Sequence, residues 1–247
     1  MSGFLGAVSL LTRIPTRGDP DAARTVPWFP IVGAMLGAAG ASVYAAARVA
    51  LPPTLAATLA VATLVLLTGA LHEDGLADVA DAFGAGADRE RTIEILKDPR
   101  HGTYGVLALI VSVLARIGAL ATMGSWVAFA AVPAAHALAR ATAPATMLAL
   151  PPANEDGLGA RYARRLAPRP VFASTIAATG VAAALLGAWT IPALLIVALA
   201  GVAIGALALR KIGGFTGDVL GATEQIAEIG VLLLVAAARP HVPWWHG

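Results

Sequence analysis

Residues 191–209 read IPALLIVALAGVAIGALAL and decide the fold class, because none of these side chains carries a charge. A helix needs about 20 predominantly apolar residues to cross a bilayer. Six further apolar runs come close to that length, so the sequence predicts an all-α fold, a polytopic integral membrane helix bundle of about seven transmembrane helices. The predicted spans are 27–50, 54–71, 103–123, 125–149, 171–189, 191–209 and 219–238.

The composition of the whole chain predicts the same class. Hydrophobic residues make up 58% of the 247 residues and charged residues only 13%, whereas soluble proteins are about 45–50% apolar and 25% charged. We therefore expect a single integral membrane domain over 1–247, held in the lipid bilayer, with 1–26 as a surface or re-entrant segment. A net charge of +2 gives no indication of nucleic acid as a partner. The lack of cysteine excludes disulfides and thiolate chemistry.

Basic residues are distributed unevenly between the two predicted sides of the membrane. With seven spans, the N-terminus shares one side with 72–102, 150–170 and 210–218, and thirteen of the 17 Lys and Arg residues fall there. Only Arg48 and Arg239 fall on the opposite side. The positive-inside rule then places the N-terminus and these loops in the cytoplasm, as in a multi-pass protein of the bacterial cytoplasmic membrane. The acidic residues lie on or near the same side, so we expect a functional site at the cytoplasmic face.

Three aspartates recur at helical spacing at the start of the acidic segment 72–102. Asp74, Asp78 and Asp81 stand at i, i+4 and i+7, which places them within about 60° on one side of a helix. Like charges at this spacing repel, and no Lys or Arg lies within one turn to relieve them. Since hard oxygen ligands suit Mg²⁺, we predict that these three residues are metal ligands and catalytic residues. The alternative is a solvated acidic face.

A second motif, KDPRHGTYG, occupies 97–105 directly before a long apolar run. Its glycines lead into a helix N-terminus, where backbone N–H groups and the positive end of the helix dipole favour an anion. Together with Lys97 and Arg100 this predicts a phosphate-binding turn. A surface turn whose basic side chains snorkel towards water is the alternative, and the spacing does not decide between them. The preceding ADRERTIE, 87–94, mixes both charges and predicts an ordinary exposed helix.

The third motif is RKIGGFTGDVLGATEQIAEIG, residues 210–230. Its first three glycines predict a backbone that bends sharply or approaches a ligand closely, and Asp218 is well placed as the N-cap of the last span. Glu224 and Glu228 form an acidic pair inside an apolar segment, and ionisable residues at membrane depth face an interior cavity or site. The intramembrane Arg116 and Arg140 could neutralise these glutamates or bind substrate, and both alternatives stay open.

Acids for a metal, glycine turns and cations for phosphate together predict Mg²⁺-assisted transfer at a pyrophosphate. Ion-coupled transport is the main rival, because carboxylates in membrane spans also act as proton or ion relays. A transporter has no evident need for clustered loop aspartates or two glycine turns. The two halves of the chain also show no clear repeat symmetry, which many transporters have.

Five blocks of the sequence resemble the cobalamin synthase family, the adenosylcobinamide-GDP ribazoletransferases. HEDGLADVADAFG is similar to that family's H-x-DGLAD-x-x-DG signature, and LKDPRHGTYGVLAL and KIGGFTGDVLGATEQIAE resemble its later motifs. WFPIVG at 28–33 resembles an early element, and Arg140 followed by EDGLG at 155–159 falls at the family's spacing. The blocks run from about residue 10 to 230. Glu73, where the family usually has an apolar residue, and Ala82, where it has glycine, depart from the pattern, and His101 occupies a variable place.

The resemblance implies an Mg²⁺-dependent transferase that joins adenosylcobinamide-GDP to α-ribazole or α-ribazole 5′-phosphate. The products are adenosylcobalamin or its 5′-phosphate, and GMP. The partners expected on this basis are those small molecules and the lipid bilayer, and association with a second copy of the chain stays open. Another membrane phosphotransferase or prenyltransferase acting on a diphosphate is an alternative, as is the transporter. Besides the three aspartates, the residues expected to bind substrate are His72, Lys97, Asp98, Arg100, Arg140, Gly213, Gly214, Thr216, Gly217, Asp218 and Glu224.

Overall fold

The computed structural model describes residues 2–17, 21–86, 88–154 and 157–238. Glu155 and Asp156 of the EDGLG motif, and Arg239, lie outside these ranges. The predicted all-α class is confirmed, because the described residues form helices and no β-strand. The α-helices are α1 Ser2–Leu11, α2 Ala22–Thr25, α3 Phe29–Ala47, α4 Pro53–Thr68, α5 Leu71–Gly84, α6 Arg89–Ile95, α7 Thr103–Ala121, α8 Ser125–Arg140, α9 Thr142–Ala149, α10 Leu158–Ala163, α11 Pro168–Leu186, α12 Thr190–Ile212 and α13 Gly217–Ala238.

The predicted number of seven spans is not confirmed. Within the described ranges, four helical stretches are long and apolar enough to cross a membrane: 22–47, 103–121, 168–212 and 217–238. The count rises to five if the bent pair of α4 and α5 is one span. The prediction differs because apolar runs do not always become one long helix. The predicted span 125–149, for example, is divided into α8 and the eight-residue α9.

The stretch 168–212 folds back on itself between α11 and α12. As one straight helix its 45 residues would extend about 68 Å, roughly twice the hydrocarbon thickness of a bilayer. Thr175 of α11 and Leu209 of α12 nevertheless line the same cavity of about 550 Å³. The reversal lies at Gly187, whose φ of 56° and ψ of −128° are accessible to glycine and costly for other residues.

The centre of the bundle is the contact between α3 and α8, the most extensive helix pair among the described residues. Gly33 and Gly37 lie one turn apart on α3 and face α8. A Cβ atom at Gly33 would come within 2.6 Å of the His136 carbonyl oxygen, and one at Gly37 within 2.6 Å of the Pro133 Cα atom. Small residues at such contacts let helix backbones approach closely. Gly33 ends the WFPIVG motif, so its role here is close packing.

A sharp bend turns α5 away from α4 by 90°. Gly69 and Ala70 both have positive φ values, 68° and 58°, and such a conformation is unusual for a residue other than glycine. After the bend α5 packs against α13 and α7. Because α5 is short and carries four acidic residues, we place it outside the spans. We call the end of the bundle formed by α5, α6 and the turn 213–216 the site end.

Candidate active site

Two of the predicted aspartates on α5 lie beside an aspartate from the other end of the sequence. A Cβ atom at Gly75 would meet the backbone of Asp218 at 2.8 Å, so glycine lets α5 approach the start of α13. The pKa of Asp78 is raised to about 6, first by burial and then by the carboxylates of Asp74 and Asp218, while His101 opposes the shift. Asp74, Asp78 and Asp218 therefore form one acidic surface, which we call the aspartate face.

The aspartate face has the chemistry that suits a hard divalent cation. Carboxylate oxygens are the preferred protein ligands of Mg²⁺, which keeps several waters and takes only one or two carboxylates plus substrate phosphates. Within the described part of the chain, no group of three or more His, Asp or Glu side chains is arranged so that it could hold a metal ion by itself. An open carboxylate surface of this kind fits Mg²⁺ that arrives with a phosphate substrate.

Asp81, the third predicted metal ligand, contacts a different part of the molecule. One oxygen of its carboxylate accepts the Gly102 N–H at 2.6 Å and the other accepts the Gly105 N–H at 2.8 Å. These two amides belong to the first turn of α7 and its N-cap. Both oxygens of Asp81 are thus engaged by backbone donors, and its assignment as a metal ligand stays a prediction.

The predicted phosphate turn, 97–105, contributes less free positive charge than its sequence indicates. Arg100 donates two hydrogen bonds to the Asp98 carboxylate, at 2.9 and 2.6 Å, and these bonds lower the pKa of Asp98 to about 2. The N-terminal amides of α7 are bound by Asp81. His101 does face the site, with its Nδ1 atom 3.7 Å from an Asp78 oxygen.

Lys97 lies at a cavity of about 280 Å³ that the sequence motifs only partly indicate. The cavity lies between α6, residues 153–154 and 157–160, and the glycine-rich turn, and it shares Asp218 with the aspartate face. Thr216 and Gly217 also line the cavity, and their binding of substrate stays a prediction. The full lining is Ile93, Leu96, Lys97, Ala153, Asn154, Gly157, Gly159, Ala160, Phe215, Thr216, Gly217 and Asp218. Asn154 was not predicted, because nothing in its spacing relates it to the other motifs.

The glycine-rich turn is held against the segment 151–153 by two backbone hydrogen bonds. The Phe215 N–H donates to the Pro151 carbonyl and the Ala153 N–H donates to the Phe215 carbonyl, each at 2.9 Å. Gly213 has a left-handed φ of 79°, and a Cβ atom at Gly214 would clash with the Pro151 carbonyl oxygen. Gly213 and Gly214 therefore shape the backbone of the turn, as the sequence predicts.

The predicted N-cap role of Asp218 is wrong. The last helix begins at Gly217, and the Thr216 hydroxyl accepts the Val219 N–H at 3.3 Å, which is the bond a capping side chain makes. The same hydroxyl donates to Asp218 at 3.2 Å. Asp218 lies one step inside the helix, and from there its carboxylate belongs to the aspartate face.

Seven ionisable side chains meet inside the bundle, next to the aspartate face. We call this set, which comes from four helices, the buried charge network. Arg140 contacts Glu224 at 2.9 Å and Glu228 at 3.1 Å, and Arg116 contacts Glu73 at 2.8 Å and Glu228 at 3.7 Å. The network consists of His72 and Glu73 of α5, Arg116 of α7, His136 and Arg140 of α8, and Glu224 and Glu228 of α13.

The geometry of the buried charge network decides what its arginines do. Arg116 and Arg140 both pair with glutamates and are at most 2% exposed. Of the two roles considered for them, the structure therefore supports neutralising the buried glutamates. His72 contacts Glu224 at 2.8 Å, which links the start of α5 to α13. Substrate contact by His72, Arg140 and Glu224 stays a prediction. The network joins the helix that carries Asp74 and Asp78 to the centre of the bundle.

Comparison with known proteins gives a consistent result over nearly the whole chain. A family model described as cobalamin-5-phosphate synthase matches residues 3–236. A relative from Bradyrhizobium diazoefficiens, named adenosylcobinamide-GDP ribazoletransferase, is 46% identical over 239 residues, which cover 94% of this chain and 92% of the relative. Relatives with the same name from Azorhizobium caulinodans and Mesorhizobium japonicum are each 42% identical, over 90% and 85% of this chain and 88% and 81% of their own. No solved structure matches the chain.

Proposed function

The chain belongs to the cobalamin-5-phosphate synthase family, transferases of cobalamin synthesis, and we propose that it joins adenosylcobinamide-GDP to α-ribazole or α-ribazole 5′-phosphate at the site end of the bundle. The curated relatives carry the name of this reaction. Their similarity does not favour the alternatives of a transporter or of an enzyme acting on a prenyl diphosphate.

The proposed reaction breaks the phosphoanhydride bond of the pyrophosphate and forms a phosphoester bond to ribazole. A ribazole hydroxyl attacks the phosphorus on the cobinamide side of the pyrophosphate, a new P–O bond forms, and the bond to the GMP oxygen breaks. The hydroxyl proton passes to a nearby carboxylate or water, and GMP leaves with the electron pair. Such transfers depend mainly on positioning the reactants and on neutralising the phosphate charge.

A single observation supports this proposal most strongly: Asp218 belongs both to the aspartate face and to the cavity that Lys97 lines. One or two of the carboxylates of Asp74, Asp78 and Asp218 would hold Mg²⁺ together with the substrate phosphates. The metal would neutralise charge on the pyrophosphate when it is bound. Lys97 would bind a phosphate oxygen as a point charge. The Lys97 ammonium makes no hydrogen bond or ion pair with other described residues, so it is free to contact substrate.

We further propose that the site end faces the cytoplasm. Thirteen of the 17 basic residues fall on this side of the predicted topology, and an excess of Lys and Arg marks cytoplasmic loops. The enzyme would then be a multi-pass protein of the bacterial cytoplasmic membrane. Its aspartate face and cavity would meet their charged substrates in the aqueous phase.

The reaction can be tested with purified protein in detergent, supplied with adenosylcobinamide-GDP, α-ribazole and Mg²⁺. We expect GMP release that requires both substrates and the metal, together with formation of a cobalamin. In sealed proteoliposomes, uptake of either substrate without covalent change would instead support the transporter. Absence of both GMP and cobalamin under all metal conditions would contradict the proposed function.

A further inference from the structure

We propose that Asp81 is a positioning residue that fixes the 97–105 turn beside the aspartate face, and that it is not a third metal ligand. The expected effect of Asp81 on the reaction rate rests on the proposed function, whereas its effect on the position of the turn does not. The two oxygens of this carboxylate point towards the backbone at the start of α7.

The first amides of an α-helix have no partner within the helix and need an acceptor from elsewhere. Asp81 provides one from a neighbouring helix, with its two oxygens 2.6 and 2.8 Å from the Gly102 and Gly105 nitrogens. A carboxylate at this place also interacts favourably with the positive end of the helix dipole. Hydrogen bonds to an ionised acceptor are about twice as strong as neutral ones. Each oxygen of Asp81 thus accepts a hydrogen bond from the start of α7.

The glycine at 102 is explained by this contact. The three atoms nearest to a Cβ atom built there all belong to the Asp81 carboxyl group, the first at 2.5 Å. Gly102 has a φ of −92°, which any residue can adopt, so backbone freedom is not the reason for glycine. At Gly105 the nearest atom is again an Asp81 oxygen, followed by the Ala77 carbonyl oxygen at 2.9 Å. Both glycines therefore make room for the carboxylate.

The bonds to Asp81 determine where the rest of the turn lies. His101 directly precedes Gly102, and its Nδ1 atom lies 3.7 Å from Asp78. At the other end of the turn, Lys97 lines the cavity that contains Asp218. A turn released from Asp81 would no longer hold these two side chains in place. We call the two hydrogen bonds from Gly102 and Gly105 to Asp81 the clamp. Since misplacing a binding group by about 1 Å can cost roughly 100-fold in rate, we expect the clamp to affect catalysis.

A double-mutant cycle between positions 81 and 102 tests the clamp. In the wild-type background Gly102→Ala places a methyl group against the carboxylate, so we expect GMP release by the folded enzyme to fall about 10- to 100-fold. Asp81→Ala alone should cause a similar loss. In the Asp81→Ala background, adding Gly102→Ala should change the rate less than about threefold, because the obstructing atoms are gone. Additive losses would overturn the proposal.

The metal-ligand alternative is separated by the Mg²⁺ dependence of the same reaction. Asp81→Asn should lower the rate while leaving the half-saturating Mg²⁺ concentration within about twofold of wild type, because the residue does not touch the metal. Asp74→Asn, on the aspartate face, should raise that concentration about tenfold or more. An Asp81→Asn variant that behaves like Asp74→Asn would overturn the proposal. So would variants whose folded fraction falls while the rate and Michaelis constants of the folded enzyme stay unchanged, since that marks a purely structural residue.

A measurement without turnover keeps this inference separate from the proposed function. Amide hydrogen exchange of the peptide containing 97–105 should become about tenfold faster in Asp81→Ala. Exchange of a peptide from α3 should not change. If wild-type protein released no GMP but the exchange result held, the proposed function would fail and the clamp would stand. Unchanged exchange at 97–105 would overturn the clamp.

Discussion

Glu73 and Arg116 form an ion pair inside the bundle, where each side chain is less than 10% exposed. The family that the sequence resembles usually has an apolar residue in place of Glu73. The Arg116 guanidinium lies 2.8 Å from Glu73 and 3.7 Å from Glu228, so the additional acid has a buried cation beside it. A buried pair contributes little compared with well-packed apolar side chains, whereas an unpaired buried charge is strongly destabilising.

The effects of substitutions at Glu73 and at Arg116 on stability are expected to be coupled. Arg116→Leu alone leaves Glu73 without its cation and should lower the free energy of unfolding by about 3–5 kcal/mol. Glu73→Leu combined with Arg116→Leu should recover most of that loss, because Glu228 keeps Arg140 at 3.1 Å. Chemical denaturation in detergent micelles would measure both changes. A double variant as unstable as the sum of the two single variants would show that the pair is not coupled.

The raised pKa of Asp78 predicts how cation binding depends on pH. With a pKa of about 6, Asp78 is ionised above pH 6 and protonated below it, and a bound cation must displace that proton. We expect the affinity for Mn²⁺, used as a paramagnetic probe, to be nearly constant from pH 7 to 8. Below pH 6 it should weaken by about tenfold per pH unit.

The matched control for this titration is Asp78→Asn, which removes the titrating group. Its Mn²⁺ affinity should be weaker at neutral pH and should change less between pH 7 and 5. An affinity in the unaltered protein that is independent of pH over this range would contradict the placement of Asp78 at the cation.

At the scale of helices, glycine has a different role on the helix faces that contact other helices and on those that face lipid. Gly37 of α3 lies against the backbone of α8 at Pro133, whereas a Cβ atom at Gly118 of α7 would meet no other atom within 4 Å. Both residues lie inside helices, where alanine is intrinsically favoured over glycine by about 1 kcal/mol. Packing alone therefore determines the sign of a substitution.

Gly37→Ala should destabilise the protein by about 1–3 kcal/mol, because the added methyl group forces α3 and α8 apart. Gly118→Ala is the matched control and should leave the stability unchanged or raise it by up to about 1 kcal/mol. Thermal unfolding of the two variants in the same detergent measures the contrast. Equal effects would contradict the close contact between α3 and α8.

At the scale of the molecule, the sequence predicts helices well and their arrangement poorly. Each predicted span contains a helix, because apolar runs in lipid must satisfy their backbone hydrogen bonds internally. The boundary between the predicted spans 171–189 and 191–209 agrees with the reversal near Gly187. The 90° bend at Gly69 and Ala70, by contrast, depends on the backbone conformation of two residues, which no apolar pattern reveals. The number of spans did not follow from the lengths of the apolar runs either, because a run such as 125–149 is divided into two helices.

In the candidate site, too, the sequence predicted features within one helix but not the contacts between helices. The helical spacing of Asp74 and Asp78 predicted that they share a face, and the structure places them together. Spacing could not show that Asp218 joins them, since it approaches through tertiary packing at Gly75. Nor could it show that Asp81, at the same helical spacing, contacts the amides of another helix. Local periodicity gives the face of a helix, and packing decides what that face meets.

The proposed role of the aspartate face is to hold the metal for transfer at a pyrophosphate. The most direct measurement is GMP release from adenosylcobinamide-GDP and α-ribazole at saturating Mg²⁺, by Asp78→Asn in proteoliposomes. Glu90→Gln, an exposed acid on the neighbouring α6, is the control. We predict that Asp78→Asn loses about 100-fold or more in turnover while Glu90→Gln stays within about twofold of wild type. Full turnover by Asp78→Asn would contradict the claim.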